Sequence, residues 1–235
     1  MAQAGLHALL GAAARSLTPR REWLPLGILL GSLFPDMDNY AVAVATLTGL
    51  DSHGLHRTFT HSLFTVLAAI LIFALVGLFT KKPRWTTLGF GLGIGISLHI
   101  MLDLWMWYDG VMLAWPLGGW LNLWADFTPP EWFSLLMQPL EFLFLAGYFY
   151  WLYRAAHGNG TDLDFLKALR IWIIAVLVLL VIFTPRAYLM EKGFLTIFGA
   201  FYLIALTAAF VITIRMRKTV ETFPRQSDQL TAPGL

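Results

Sequence analysis

Residues 31–62, GSLFPDMDNYAVAVATLTGLDSHGLHRTFTHS, gather ionisable side chains in a chain otherwise dominated by Leu, Ala, Phe and Trp. Three of the six histidines of the protein lie in this stretch. Its carboxylates and imidazoles are Asp36, Asp38, Asp51, His53, His56 and His61. Carboxylate oxygens and imidazole nitrogens at this density are ligands for zinc, manganese or iron. The pattern therefore predicts a divalent metal centre, of one or more ions, which the remaining helices enclose.

Composition decides the broad class of the protein. Of its 235 residues 58% are hydrophobic and only 13% are charged, whereas an ordinary soluble domain has about 25% charged residues. This composition predicts an all-α, polytopic membrane bundle. The net charge of +2 comes from short basic loops, so we expect contact with the lipid bilayer and no direct contact with nucleic acid. Because cysteine is absent, any metal must be held by His, Asp or Glu.

Apolar runs predict five full spans and two short N-terminal helices. The long runs are residues 62–79, 85–107, 132–153, 166–184 and 194–214. The short segments, 6–17 and 24–34, fall below the roughly 20 residues that a span needs, and the second stops at Pro35 because proline disfavours a helical residue before it. We expect a single integral membrane domain, residues 1–218, and a polar, disordered tail, residues 219–235.

The basic residues between the runs predict the topology. They form three groups: Lys81, Lys82 and Arg84; Arg154, Lys167 and Arg170; and Arg215, Arg217 and Lys218. The positive-inside rule places these groups and the C-terminus in the cytoplasm, and residues 36–61 and 105–132 on the opposite face of the membrane. Six of the ten tryptophans fall within 105–132, as in an interfacial aromatic belt. Arg186 and Lys192 oppose this topology.

A second chemical motif, His99-x3-Asp103, lies within the predicted span 85–107. A spacing of four places both side chains on one helical face, so they can share a metal or act as a ligand and its orienting partner. The alternative is a His–Asp hydrogen bond that fixes helix packing. Preceding glycines at 89, 91, 93 and 95 allow a neighbouring helix to approach closely.

Arg57 and the two aspartates after Pro35 are candidate catalytic residues. Arg57 is suited either to a phosphate or carboxylate group of a substrate or to an ion pair with Asp36 or Asp38. Asp36 and Asp38 can converge from a turn, as metal ligands or as the base. Their alternative role is helix capping. We expect His56 just before the next helix, His61 in its first turn, and Thr60 and Ser62 as caps.

The order of these motifs resembles that of a known family. His7, GSLFPDMD at 31–38, HRTFTHS at 56–62 and SLHIMLD at 97–103, followed by Gly110 and Trp115-Pro116, are similar to the LexA-binding, inner-membrane-associated family of metal-dependent hydrolases. The likeness covers about residues 5–120 and implies the inner membrane of a bacterial or archaeal cell. More remotely, the pattern is similar to the zinc-dependent phospholipase C and P1 nuclease group. The resemblance implies a metal site, most simply of zinc, whose ligands are His7, Asp36, Asp38, His56, His61, His99 and Asp103.

The metal-ligand pattern predicts metal-dependent hydrolysis, and the resemblance implies that a phosphoester is cleaved. The location of the site at a membrane face favours a lipid or other amphipathic substrate, with Asp36, Asp38 and Arg57 at the reaction centre. Two alternatives stay open: a non-catalytic scaffold for a protein partner, and an ion- or proton-handling protein with a structural polar or metal core. A transporter is less favoured because the two halves show no repeat. His53 has no assigned role, and His157 is expected to be solvated.

Overall fold

The computed structural model describes residues 3–189 and 194–223, and these residues form helices joined by turns and loops, without a strand. The helices are α1 Ala4–Arg15, α2 Leu24–Leu33, α3 Asn39–Thr48, α4 Leu63–Thr80, α5 Pro83–Met106, α6 Glu131–Asn159, α7 Leu166–Leu189, α8 Phe194–Arg215 and α9 Arg217–Glu221. Five of them, α4 to α8, are long and apolar enough to cross a membrane. The prediction of an all-α bundle with five spans and shorter helices is therefore confirmed.

The spans differ in how much they are covered by protein. About half of the apolar stretch is buried in α5 and α6, against 17% in α4 and 11% in α7. Since α4 and α7 have few protein neighbours, most of their apolar surface lies on the outside of the bundle. Helices α5 and α6 form the inner part of the bundle, where buried polar groups can be enclosed.

The short helices α1 and α2 occur close to their predicted positions and lie inside the bundle. Every residue of α2 is buried. Ten helical residues extend only about 15 Å, roughly half the hydrocarbon core of a bilayer. Helix α2 ends at Leu33, and Pro35 begins a 3-10 turn, Pro35–Asp38. This short helix therefore stops within the bundle and directs the two aspartates into it.

Glycines allow α2 and α4 to pack closely on opposite sides of α5. A Cβ atom at Gly91 would lie 2.9 Å from the Cα atom of Gly27, and one at Gly95 would lie 2.7 Å from the backbone nitrogen of Ser32. A Cβ atom at Gly89 would lie 2.7 Å from that of Phe73 on α4. The predicted packing role of the glycines is confirmed, and the overlapping spacings serve two different neighbours.

One end of the bundle, which we call the cation end, carries the turn after α4 with Lys81, the first residues of α5 with Arg84, and the C-terminus of α8. Arg84 and Arg217 lie over the ring of Trp23, with guanidinium carbons 4.5 and 5.7 Å from the ring centroid. Arg215 contacts Asp164 in the loop before α7. These contacts bring residues of the first and third basic groups, and the loop before α7 that adjoins the second, to one end of the bundle.

The opposite end, which we call the loop end, contains the 3-10 turns, α3 and the long connection between α5 and α6. Helix α3 was not predicted from the sequence. Residues 219–221 of the predicted tail belong to α9, and the part from 224 onwards lies outside the described residues, as does Lys192.

Candidate metal centre

Helix α5 carries His99 and Asp103 one turn apart near the loop end, and both side chains are buried. The close crossing of α2 and α5 places the Ser32 carbonyl oxygen 2.8 Å from Nδ1 of His99. Because a carbonyl can only accept, Nδ1–H is the donor and Nε2 is left with its lone pair. The glycine packing therefore fixes the tautomer and direction of this imidazole.

The connection before α4 supplies the next two histidines. Arg57 has a φ of 60°, and Phe59–His61 form a 3-10 turn that precedes the helix. The expected position of His61 in the first turn of α4 is therefore wrong. Ser62 is the N-cap, as predicted, and accepts a hydrogen bond from the Thr65 N–H at 3.2 Å. The Met112 N–H binds the Arg57 carbonyl at 3.0 Å, which ties this connection to the α5–α6 loop.

Asp38 holds the two histidines of this turn by their Nδ1 atoms. Its Oδ1 lies 2.7 Å from Nδ1 of His56, and its Oδ2 lies 3.2 Å from Nδ1 of His61. Oδ2 also accepts from the Thr60 hydroxyl at 2.8 Å, so Thr60 binds the carboxylate and the predicted capping role is wrong for it. Burial alone would raise the pKa of Asp38, but hydrogen bonds from His56 and His61 outweigh it and hold this pKa well below its usual range. The carboxylate stays ionised and orients both rings.

The Nε2 atoms of His61 and His99 meet the Asp103 carboxylate at one point. The distance between the two nitrogens is 3.1 Å, and Asp103 Oδ2 lies 3.3 Å from Nε2 of His61 and 3.8 Å from Nε2 of His99. Two ligands about 2.0–2.1 Å from a tetrahedral metal are separated by about 3.3 Å. Two edges of this triangle, 3.1 and 3.3 Å, are close to the ligand spacing of a tetrahedral shell, and the third, 3.8 Å, is longer.

Asp36 and His7 border this triangle. Asp36 Oδ1 lies 3.8 Å from Nε2 of His99, and both oxygens of Asp36 are buried without a hydrogen-bond partner. Burial raises the pKa of Asp36, an effect that the nearby His7 partly offsets. His7 of α1 stacks on His99 at 3.6 Å, and its Nε2 lies 3.1 Å from Asp103 Oδ1. Buried polar atoms without partners are costly, so these groups favour a cation between them.

Three groups of residues have donor atoms within 4.8 Å of one another in the described part of the chain. They are His7, His99 and Asp103; Asp36, His61 and His99; and Asp38, His56 and His61. His56 belongs with Asp38 and His61, and its Nε2 is buried without a hydrogen-bond partner. All the predicted metal ligands thus lie in one connected cluster, whose groups share His61 and His99. Such groups could hold a metal ion.

The two histidines bound by Asp38 differ in charge. Burial lowers the pKa of His61, but hydrogen bonds to Asp103 and Asp38 reverse this effect and raise the value to about 9. In His56 burial prevails over the hydrogen bond to Asp38, and the pKa is lowered. At neutral pH and without metal, His61 is therefore protonated on both ring nitrogens and positively charged, while His56 is neutral.

Arg57 completes the electrostatics of the cluster. Its Nε lies 3.3 Å from Asp103 Oδ2, and its terminal nitrogen lies 3.3 Å from Asp109 Oδ2. The Arg57 side chain is only 3% exposed, against 75% for Asp109, and its guanidinium lies 5.9 Å from the Trp107 ring centroid. Arg57 therefore places a positive charge between the buried Asp103 and the surface.

Two histidines lie apart from the cluster. His53 is exposed, and its backbone N–H binds Asp51. His157 is also exposed, as expected, and stacks against Tyr153.

Sequence reasoning overlooked Glu141 on α6, which is fully buried and accepts the Gly5 N–H with both oxygens at 3.0 and 3.1 Å. It also overlooked Asp109. An ionisable residue within the apolar run 132–153 was the available signal for Glu141.

Comparison with known proteins agrees with this fold. The family model for the YdjM inner membrane protein matches residues 2–216, nearly the whole chain. A search of curated proteins and of solved structures found no match. The matched region contains every residue of the cluster and all five long apolar helices. With its five apolar helices, this multi-pass membrane protein belongs to the YdjM inner membrane protein family.

Proposed function

We propose that this protein is a membrane-embedded, metal-dependent hydrolase. The observation that carries the proposal is the orientation of two histidines whose Nε2 atoms meet beside Asp103: Nδ1 is bound by Asp38 in His61 and by the Ser32 carbonyl in His99. In metal sites of proteins, carboxylates and carbonyls hold one imidazole nitrogen in this way so that the other can bind the ion. A purely structural His–Asp pair would not need two rings whose Nε2 atoms face each other beside a carboxylate.

The donor set fits a zinc ion best, with manganese or iron as alternatives. Zinc accepts imidazole and carboxylate ligands in a tetrahedral shell. His61, His99 and Asp103 would hold it, and Asp36 or His7 would complete the shell. The adjoining group of Asp38, His56 and His61 would hold a second ion only if Asp38 gave up hydrogen bonds, so we infer one tightly bound ion first.

The residues around this centre have separate roles in the proposed reaction. A bound divalent metal would lower the pKa of a coordinated water and polarise a phosphoryl oxygen. Where His7 completes the shell, Asp36, whose oxygens have no hydrogen-bond partner, is the better proton acceptor, because both oxygens of Asp38 are engaged. Arg57 would bind an anionic oxygen of the substrate, since its guanidinium extends from Asp103 to the exposed Asp109.

The surroundings support an amphipathic phosphoester as the substrate. Trp105, Trp120 and Trp124 on the loop end are 70%, 44% and 39% exposed. Aromatic rings of this kind lie at the level of lipid headgroups. Trp107, in contrast, is buried against Arg57 and is not part of the aromatic belt.

The experiment combines metal analysis with an activity assay on detergent-purified protein. Wild type is loaded with zinc, dialysed, analysed for metal content, and assayed with bis(4-nitrophenyl) phosphate and with phosphatidylglycerol in mixed micelles. The variant His61→Ala is compared with His53→Ala, a nearby exposed histidine outside the cluster. We expect bound zinc and hydrolysis in wild type and His53→Ala, and loss of both in His61→Ala.

Two results would contradict the proposal. Absence of retained metal in wild type would remove its basis. Retained metal without hydrolysis of either phosphoester would favour the alternative, a scaffold for a protein partner in which the metal core is structural.

We also propose that the loop end is external and the C-terminus cytoplasmic. The contacts of Arg84, Arg215 and Arg217 at one end support this orientation. Single cysteines introduced into this cysteine-free chain at positions 83 and 118 test it. Position 118 should react with an impermeant maleimide in intact cells and position 83 only after permeabilisation; the reverse pattern would overturn the orientation.

A further inference from the structure

A cavity of about 800 Å³ lies at the cation end, away from the metal cluster. It is formed by the linker between α1 and α2, the start of α2, and the adjoining parts of α4 and α5. The α5 residues along it run from Pro83 to Ile94, which corresponds to about 16 Å of helix. This length is close to one leaflet of a hydrocarbon core about 30 Å thick.

The lining of the cavity is apolar along its length and cationic at its mouth. Leu78, Phe90 and Ile94 are among the apolar residues, all more than one third exposed. Arg21 and Lys81 are its two charged residues, and no acidic side chain lines it. In a membrane-spanning bundle such a groove is open to lipid chains, whereas its two cations attract an anion.

Neither cation is engaged by another side chain in the described part of the protein. The nearby Arg84 is paired with Glu22 and lies over Trp23, but Arg21 and Lys81 form no ion pair or side-chain hydrogen bond there. Two basic residues left without a counter-charge beside an apolar groove complement a ligand with an anionic head and an apolar chain. Inorganic phosphate would bind the two cations but would leave the apolar groove unfilled.

We propose that this cavity is a binding site for an anionic phospholipid. Its phosphate lies between Arg21 and Lys81, and one acyl chain follows Leu78, Phe90 and Ile94 toward the centre of the bilayer. Basic pockets between membrane helices recognise anionic headgroups in this way. The site is independent of the proposed hydrolase activity, because it lies at the end of α5 opposite to His99 and Asp103.

The test uses two double variants that remove the same charge. Arg21→Gln with Lys81→Gln changes the mouth of the cavity, whereas Arg20→Gln with Lys82→Gln changes the adjacent exposed residues, which do not line it. Each protein is purified and titrated with phosphatidylglycerol or phosphatidylcholine, and bound lipid is counted by native mass spectrometry. We expect the first pair to lose roughly thirtyfold in phosphatidylglycerol affinity and the control pair to lose less than threefold.

A third variant tests the apolar part of the site. Ala74→Phe fills the groove on α4 without a change of charge and should also weaken phosphatidylglycerol binding at least tenfold. Equal losses in the two double variants would overturn the proposal in favour of unspecific surface charge. Unchanged binding in Ala74→Phe, or full displacement by millimolar inorganic phosphate, would overturn it in favour of an anion site without a lipid chain.

Discussion

The charged groups at the two ends of the bundle differ in their burial and in their partners. At the cation end, Arg215 meets Asp162 and Asp164, and Glu221 accepts the N–H groups of Trp23 and Leu26 at 2.8 and 3.0 Å. At the loop end, Asp36 and Asp103 are buried among histidines, and both oxygens of Asp36 lack hydrogen-bond partners.

Polar groups at the cation end stabilise the fold, whereas polar groups at the loop end are arranged to bind a ligand. Charges that are exposed and paired stabilise helix ends and contribute little individually. Buried ionisable groups cost stability, most of all where atoms such as the carboxylate oxygens of Asp36 have no hydrogen-bond partner, so they persist where function requires them. The residues around Trp23 at the cation end are of the exposed and paired kind, and those of the loop end are of the buried kind.

The largest expected effect is that of removing the carboxylate at the centre of the loop end. Asp103→Ala takes away the oxygens beside His7, His61 and Arg57. We expect zinc affinity to fall by at least about 100-fold, because a ligand is lost and Arg57 is left buried without this partner. Isothermal titration with zinc measures this change, and circular dichroism monitors the helices. Wild-type affinity in a folded Asp103→Ala protein would show that the ion binds elsewhere.

The second effect concerns the carboxylate that orients two imidazoles. Asp38→Asn keeps the size of the side chain but offers only one acceptor oxygen to His56, His61 and Thr60. Loss of an orienting carboxylate lowers metal affinity about 10- to 100-fold. Asp51→Asn, in which the altered residue is exposed and contacts His53, is the matched control and should bind zinc as wild type does. An equal loss in both variants would argue against the orienting role.

The third effect is a pH dependence of metal affinity. In the metal-free protein the pKa of His61 is raised to about 9, so a proton must leave this imidazole when metal binds. Affinity should therefore rise about tenfold per pH unit between pH 7 and pH 9 and level off above that. Competition with a chromophoric chelator at fixed ionic strength measures the slope. A flat profile would show that His61 is not a ligand.

The fourth effect tests whether α6 contributes to the site through α1. Glu141→Leu removes the acceptor for the Gly5 N–H, two residues before His7, whereas Glu141→Gln keeps an acceptor oxygen. We expect a loss of about three- to tenfold in zinc affinity for the first variant and a smaller loss for the second.

A double-mutant cycle with His7→Ala identifies the route of this effect. If Glu141 acts by positioning His7, the two losses are not additive. Additive losses would mean that Glu141 influences the metal by another path.

The smallest effect on the metal site is expected at the cation end. Glu221→Ala removes the side chain that caps the N-terminus of α2, which should lower the free energy of unfolding by about 1 kcal/mol. Zinc affinity should change less than twofold, since the site lies at the other end of α2. Denaturant unfolding and zinc titration of the same preparation give both values. A large loss of zinc affinity would break the distinction between the two ends.

The sequence alone determined the membrane class, the five spans and the residues of the cluster. Long apolar runs leave few alternatives in a bilayer, because every backbone polar group must find its partner within a helix. The i, i+4 spacing likewise placed His99 and Asp103 on one face, and the glycines of α5 indicated close packing before the neighbours were known.

Only the tertiary structure decided which role each of those residues has. Asp36 and Asp38 stand two positions apart in one turn, yet Asp38 binds two imidazoles while Asp36 faces His99 without a hydrogen-bond partner. His7 stacks on His99, which is 92 positions away in the sequence. Glu141 accepts the N–H of Gly5 on α1, which is 136 positions away. No local pattern specifies such pairs, because they depend on how α1, α2 and α6 pack around α5, and that packing follows from shape and close contact along whole helices.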